Sequence, residues 1–416
     1  MSQQIPDRIT LFAVGLFGVM LGGVGLPIYL HAPKYFSDAY GVSLASLGVI
    51  MFVLRVADFI QDPLLGSLSA TKIVSQRFLS AGAGISIIAG AVGLFIVAAP
   101  INPTVWFAFS LILLFTGYSL SVILFYSHAA NNFAEDAQPV VARWREAGQL
   151  IGICLSAIAP TIFTEISHAP YTWFGWFLIA MTLVAVLVMH TNWSDQTKSA
   201  SVKFAFAAPD IQIRPFLMLA FVNAIPVATT STLFLFYVEY AIGSEVASGP
   251  LLLLFFGAAA LGVPIWTILA KTYAIEWVLG GAMLASLAAF SFTFTLNAGD
   301  IFVFAVICGV TGVLTGADLT LLPMLFIKFL RHSDVPSEEA FGYWSLSSKL
   351  ALALAVGLIL PGLEASGFDP TSLTPVGIYN LSVAYALVPS VLKFLAIYML
   401  WRVTRNQSTN THGRSR

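Results

Sequence analysis

The sequence predicts an all-α integral membrane protein of twelve transmembrane helices in two six-helix bundles, with both termini in the cytoplasm. Three observations carry this. Hydrophobic residues make up 58% of the 416 and charged residues 9%, with a mean hydropathy of +0.88, whereas soluble domains carry about 25% charged residues. Apolar segments long enough for a bilayer core of about 30 Å recur along the whole chain. Lys and Arg outside those segments fall almost entirely on one side.

The N-terminal "MSQQIPDRIT" leads into an apolar run with no small-residue cleavage site, so it reads as a first spanning helix and not a removable signal. Spans are expected over 9–32, 43–69, 78–99, 103–130, 140–166 and 172–192, then over 213–241, 247–270, 274–297, 301–330, 338–364 and 377–402. The longest polar interruption separates six from six. That organisation gives an N-terminal bundle over 1–193, a cytoplasmic linker over 194–212, a C-terminal bundle over 213–402 and a polar tail over 403–416. Basic residues such as Arg8, Lys72, Arg143, Lys271, Arg331 and Arg402 share one side of this ladder, and only Lys34 is expected in a loop on the other. Positive loops stay cytoplasmic, so the asymmetry orients the chain and checks the helix count.

A net charge of -1 gives no reason to expect nucleic acid as a partner. Phosphate-binding glycine loops, zinc spacings and Ser/His/Asp signatures are absent, so neither an enzyme nor a cofactor is expected. Cys154 and Cys308 fall in apolar segments and read as packing residues.

The stretch "LRVADFIQDPLLG" interrupts the second span with Arg55, Asp58 and Asp62. Each charge near the bilayer centre costs about 2.5–3.5 kcal/mol, so intramembrane charges pair or face a cavity. Spacings of three and four residues put all three on one helical face. Their sum is -1, which calls for a proton, a metal cation or another basic residue. Gln61 and Ser119 offer the neutral oxygens that a hard cation such as Na+ takes beside Asp58 and Asp62. A fixed salt-bridged patch is the alternative. Lys349, deep in "FGYWSLSSKLALALAVGLILPG", would complete the balance if it reaches the acidic pair.

Here the sequence resembles a known family. "YFSDAYGVSLASLGVIMFVLRVADFIQDPLLG", "REAGQLIG" and the helix-eleven "W-x4-K" of Trp344 and Lys349 resemble segments of the glycoside-pentoside-hexuronide:cation symporters, the melibiose permease group of the major facilitator superfamily. The resemblance implies cation coordination by Asp58, Asp62, Gln61 and Ser119, and cavity roles for Arg55, Arg145, Lys349, Tyr126 and Trp344. It also shows departures: Met20 and Val122 stand where galactoside carriers place sugar-binding aspartates. Melibiose-like recognition is therefore not expected to carry over.

Other intramembrane polar residues admit two readings each. Asp318, near Pro323, is a substrate or coupling acid, or a buried hydrogen-bonded one. Asn223 and the run Thr229 to Thr232 either touch solute or join helices. Glu146 beside Arg145 is expected at a cytoplasmic mouth, His128 at an interface, and Lys393 snorkelling to the interface. Gly18, Gly22 and Gly25 form a small-residue stripe suited to tight packing. Together these features predict a multi-pass protein of a bacterial inner membrane, acting as a monomer among lipids. It would carry a small solute, a sugar or glycoside by the resemblance, together with H+ or Na+. An amphiphilic or lipid-like solute is the alternative cargo, and a non-transporting scaffold or sensor the alternative class.

Overall fold

The structure, a computed structural model, describes residues 7–70, 75–133, 137–193, 213–330 and 337–413. The chain divides into two compact units, Met1–Ala205 and Phe206–Arg416. The linker expected over 194–212 lies outside the described residues. The first unit contains α1 (Arg8–Val24), α2 (Leu26–Tyr40), α3 (Leu44–Ala70), α4 (Gln76–Phe95), α5 (Pro103–Asn132), α6 (Gln138–Thr164) and α7 (Pro170–His190). The second contains α8 (Arg214–Phe236), α9 (Ser248–Thr272), α10 (Ile275–Ser291), α11 (Ile301–Leu330), α12 (Ser337–Ala365), α13 (Pro375–Ser382) and α14 (Val388–Gly413).

Among the described residues, eleven segments are long and apolar enough to cross a membrane. At 27 residues α3 has the length of a twelfth, its apolar run broken by Arg55, Asp58 and Asp62. Helix ends follow from local chemistry. Asp7 accepts a hydrogen bond from the Thr10 amide and Asn102 from that of Thr104, both at 2.9 Å, satisfying donors that a helix start leaves open. Prolines open α5, α6, α7, α8 and α13, where the missing N–H costs nothing.

Two boundaries differ from expectation. The first span breaks at Gly25 into α1 and α2, and α2 continues to Tyr40, ending on Gly41 at φ +63°. Lys34 is therefore not in a loop: it is buried inside α2 and pairs with Asp38 one turn on. That i,i+4 spacing lets the helix carry its own counter-charge. At the other end α14 extends to Gly413, beyond the limit that hydropathy sets at 402.

The first unit is held by close backbone contact. A Cβ at Gly18 would lie 2.7 Å from the Arg145 carbonyl oxygen, and one at Gly22 only 2.0 Å from that of Gln149. Gly152 reciprocates at 2.0 Å from the Val19 oxygen. The stripe on α1 thus meets α6 without intervening side chains, while Gly25 lies against the Tyr118 hydroxyl of α5. The second unit repeats the device where Gly312 and Gly316 of α11 meet the carbonyls of Phe255 and Ala259 on α9. Small residues let membrane helices approach until dispersion contacts become dense.

The second unit also contains two π-helical stretches, Tyr237–Ala241 after α8 and Val383–Leu387 before α14. They bring Tyr237 and Tyr385 into a stacked pair with ring centroids 4.1 Å apart. The Tyr237 hydroxyl donates to the Thr293 carbonyl at 2.8 Å. Such single-turn bulges re-aim side chains and recur at functional sites.

Gly22→Ala is expected to destabilise the protein by roughly 1–3 kcal/mol, the usual cost of overpacking. Gly82→Ala, on the open side of α4 with nothing within 4 Å, should be neutral or slightly stabilising, because alanine is the better helix former. Thermal unfolding of both variants in detergent checks the contrast.

Candidate functional site

In the first unit the three charges of α3 are set against α5. Arg55 and Asp58 are both buried, and the guanidinium Nη1 donates to Asp58 Oδ2 at 2.9 Å. The Arg55 guanidinium carbon lies 4.3 Å from the centre of the Tyr29 ring and 5.1 Å from that of Phe115. These two rings are themselves 4.9 Å apart. Arginine suits the position because its planar group can stack on aromatic faces while its edge serves a carboxylate. Asp62 is half-buried one turn further along α3. Ser119 is buried on α5, and the Gln61 side-chain oxygen accepts a hydrogen bond from Thr116 at 3.3 Å. Gln61 is thus tied to α5 through the oxygen it would offer a cation.

Arg145 lies with Tyr126 in a second cluster. Its guanidinium carbon sits 4.3 Å from the Tyr126 ring centre, and it donates to Glu146 Oε1 at 2.8 and 3.0 Å. Tyr126 is itself exposed. His128 is buried, with Trp193 5.1 Å away, which differs from the interfacial setting its position near the helix end suggests.

The second unit holds the constellation that sequence reasoning did not assemble. Lys393 of α14 donates to Asp318 of α11 and to Asn223 of α8, the latter at 2.8 Å. Side-chain exposure is 7% for Lys393 and 10% for Asp318. Lys393 therefore does not snorkel: burial against two helices leaves its ammonium no route to the interface, and Asp318 supplies the charge it needs. The pair borders a cavity of about 80 Å³. Thr311, Thr315 and Asp318 line it from one face of α11, Ser390 and Lys393 from α14. Tyr385, on the second π-helical stretch, forms part of its wall.

Trp344 of α12 packs on Phe326 with ring centroids 4.9 Å apart, at the edge of the core of this unit. Lys349 is half-buried on the same helix. Asp318 and Asn223 come together through Lys393, whereas Asp58, Asp62, Gln61 and Ser119 belong to the first unit. The signal for the missed pair was the presence of two opposite charges in apolar segments, Asp318 and Lys393, each needing a partner.

Removing one member of the pair strands a buried charge. Asp318→Ala or Lys393→Ala should each cost about 3–5 kcal/mol, and the charge-neutral double variant Asp318→Leu/Lys393→Met should recover most of that loss. Thermal unfolding of all three is the measurement.

Solved structures with the same architecture are transporters. A crystal structure of the nucleoside transporter NupG matches at a TM-score of 0.71 and 11% identity, covering 95% of this chain and 99% of that one. The D-xylose-proton symporter matches at 0.71 and 10% identity, covering 95% and 97%. A bacterial homologue of the human lysosomal transporter Spinster, in an inward-facing and unoccupied conformation, matches at 0.63 and 13% identity, covering 96% and 98%. At these identities the likeness establishes the fold. No curated protein sequence matches the chain significantly. The family described as MFS/sugar transport protein matches residues 11–406. With nearly the whole chain covered and the architecture of known carriers, this multi-pass membrane protein belongs to the MFS/sugar transport family.

Proposed function

We propose that the protein is a cation-coupled symporter that moves a small solute by alternating access. Asp58 and Asp62 receive H+ or Na+, with Gln61 and Ser119 as neutral oxygen donors and Arg55 and Lys349 in charge balance. The observation that carries this reading is the ionic face of α3, where Arg55 is committed to Asp58 and three charges sum to -1 in an apolar span. A face built only to join helices is better made of small residues, and the first unit already has those at Gly18 and Gly22. A proton or metal ion received there brings the sum of these three charges to zero or above. Because the coupling is thermodynamic, solute and cation each raise the affinity of the other by the same factor.

Sugars and glycosides are the cargo class to which the family description points. Arg145 and Tyr126 of the first unit, and Trp344, Asp318 and Asn223 of the second, are the residues proposed to meet that cargo. An amphiphilic solute is the second reading, favoured by Met20 and Val122 where galactoside carriers place acids; Met20 is fully buried among apolar neighbours in α1.

The test is uptake of labelled solute into proteoliposomes with and without imposed H+ or Na+ gradients. Asp58→Asn and Asp62→Asn should each abolish gradient-driven accumulation while the protein still folds, since asparagine keeps an acceptor for its neighbours but no charge to be neutralised. Accumulation that persists unchanged in both variants would overturn the assignment.

A further inference from the structure

Arg55 holds its place on α3 in a way that its hydrogen bonds do not explain. A guanidinium carries several N–H donors in one plane and pairs most strongly with a carboxylate through two of them at once. Arg55 gives Asp58 one, from Nη1 to Oδ2 at 2.9 Å. Its Nε is buried and has no acceptor among the described residues. An unmet N–H in a buried setting is costly, so another contact fixes this pose.

That contact is aromatic. The guanidinium carbon lies 4.3 Å from the centre of the Tyr29 ring and 5.1 Å from that of Phe115, and both residues are buried. A cation held over ring faces away from water gains more than one at a surface, which offsets the second hydrogen bond it forgoes. The consequence falls on Asp58. Arg55 takes Oδ2 and leaves Oδ1 to other partners, whereas a guanidinium closed on both oxygens would hold the carboxylate against any incoming cation.

The two rings come from different elements. Phe115 stands on α5 beside Thr116, the residue that holds Gln61. Tyr29 stands on α2, which the break at Gly25 sets on a backbone path distinct from that of α1. The hold on Arg55 therefore depends on where α2 sits.

We propose that Tyr29 is a positioning residue of the cation site: its ring keeps Arg55 to a single bond with Asp58, so that cation affinity is high while α2 is docked on the guanidinium and falls when it is not. By linkage, a bound cation favours the docked α2 to the same extent. The inference rests on the assignment of the cation to Asp58 and Asp62, and adds what regulates that site.

The experiment is thermal unfolding of the purified full-length protein in detergent, titrated with Na+ at constant ionic strength and with H+ in Na+-free buffer. The stabilisation that Asp62→Asn removes defines the cation site, and its half-saturation gives the affinity. Tyr29→Leu should weaken that affinity by about five- to thirtyfold, the equivalent of a desolvated cation–π contact. Tyr29→Phe keeps the ring face and should stay within about twofold of the wild type. Phe115→Leu should act in the same direction as Tyr29→Leu. In an Arg55→Gln background Tyr29→Leu should change the affinity no further, since Tyr29 acts through the guanidinium. A ring that only packs would lower the unfolding temperature and leave half-saturation untouched. If Arg55→Gln does not fold, the contrast between Tyr29→Leu and Tyr29→Phe decides alone. Unchanged affinity in Tyr29→Leu and Phe115→Leu, an equal loss in Tyr29→Phe, or a loss undiminished in the Arg55→Gln background would each overturn the proposal and leave the cation site in place. No cation-dependent stabilisation of the wild type, or one that both Asp58→Asn and Asp62→Asn retain, would overturn the cation assignment and this role with it.

Discussion

Every charge placed within an apolar span must be answered by another, and the polar architecture of this protein depends on how each unit answers. In the first unit the answer is local. Arg55 and Asp58 lie three residues apart on α3, and the Tyr29 and Phe115 rings take up the guanidinium. In the second unit the answer crosses the bundle, where Lys393 on α14 reaches Asp318 on α11 and Asn223 on α8. A local pair leaves its helix able to move as one body with its charges intact. A pair that crosses the bundle ties three helices to a common point, and breaking it exposes the full cost of a buried charge.

The backbone makes these arrangements possible. Glycines at the α1–α6 contact and at the α9–α11 contact bring helix backbones close enough to pack without side chains between them. The two π-helical stretches have a different effect. Each inserts one residue per turn into a helix, and together they stack Tyr237 on Tyr385 and turn Tyr385 to the cavity. The cavity wall is thus as much a product of irregular backbone as of side-chain choice.

Hydropathy made the helices legible because a span must satisfy all its backbone groups internally, and the expected limits of the 301–330 segment coincide with α11. The ionic face of α3 was legible for the same reason in reverse: three charges at helical spacing stand out against lipid. The break at Gly25 was not, because Leu26 and Pro27 continue the apolar run while changing only the backbone path. Nor was Lys34 inside α2, since an isolated lysine after an apolar segment reads as a loop until Asp38 is seen to answer it. The Lys393–Asp318 pair lay beyond reach for a deeper reason. The residues are 75 positions apart, and helical periodicity gives the face of a side chain but not the helix opposite it.

The two charged sites also differ in sum, and that difference bears on what each can bind. Arg55, Asp58 and Asp62 on α3 total -1, and the symport proposed above assigns the cation to that face. Asp318 and Lys393 total zero, and within the second unit this pair is answered by its own two members and Asn223. A carrier that couples two unlike ligands must keep the ion from occupying the place of the solute, and discrimination requires that each site reject the other's ligand. Under the proposed symport, unequal charge sums serve that end, with arginine and two aspartates in one unit and lysine and one aspartate in the other. On that proposal, selectivity resides less in which ionisable residues are present than in the charge sum of the group they form.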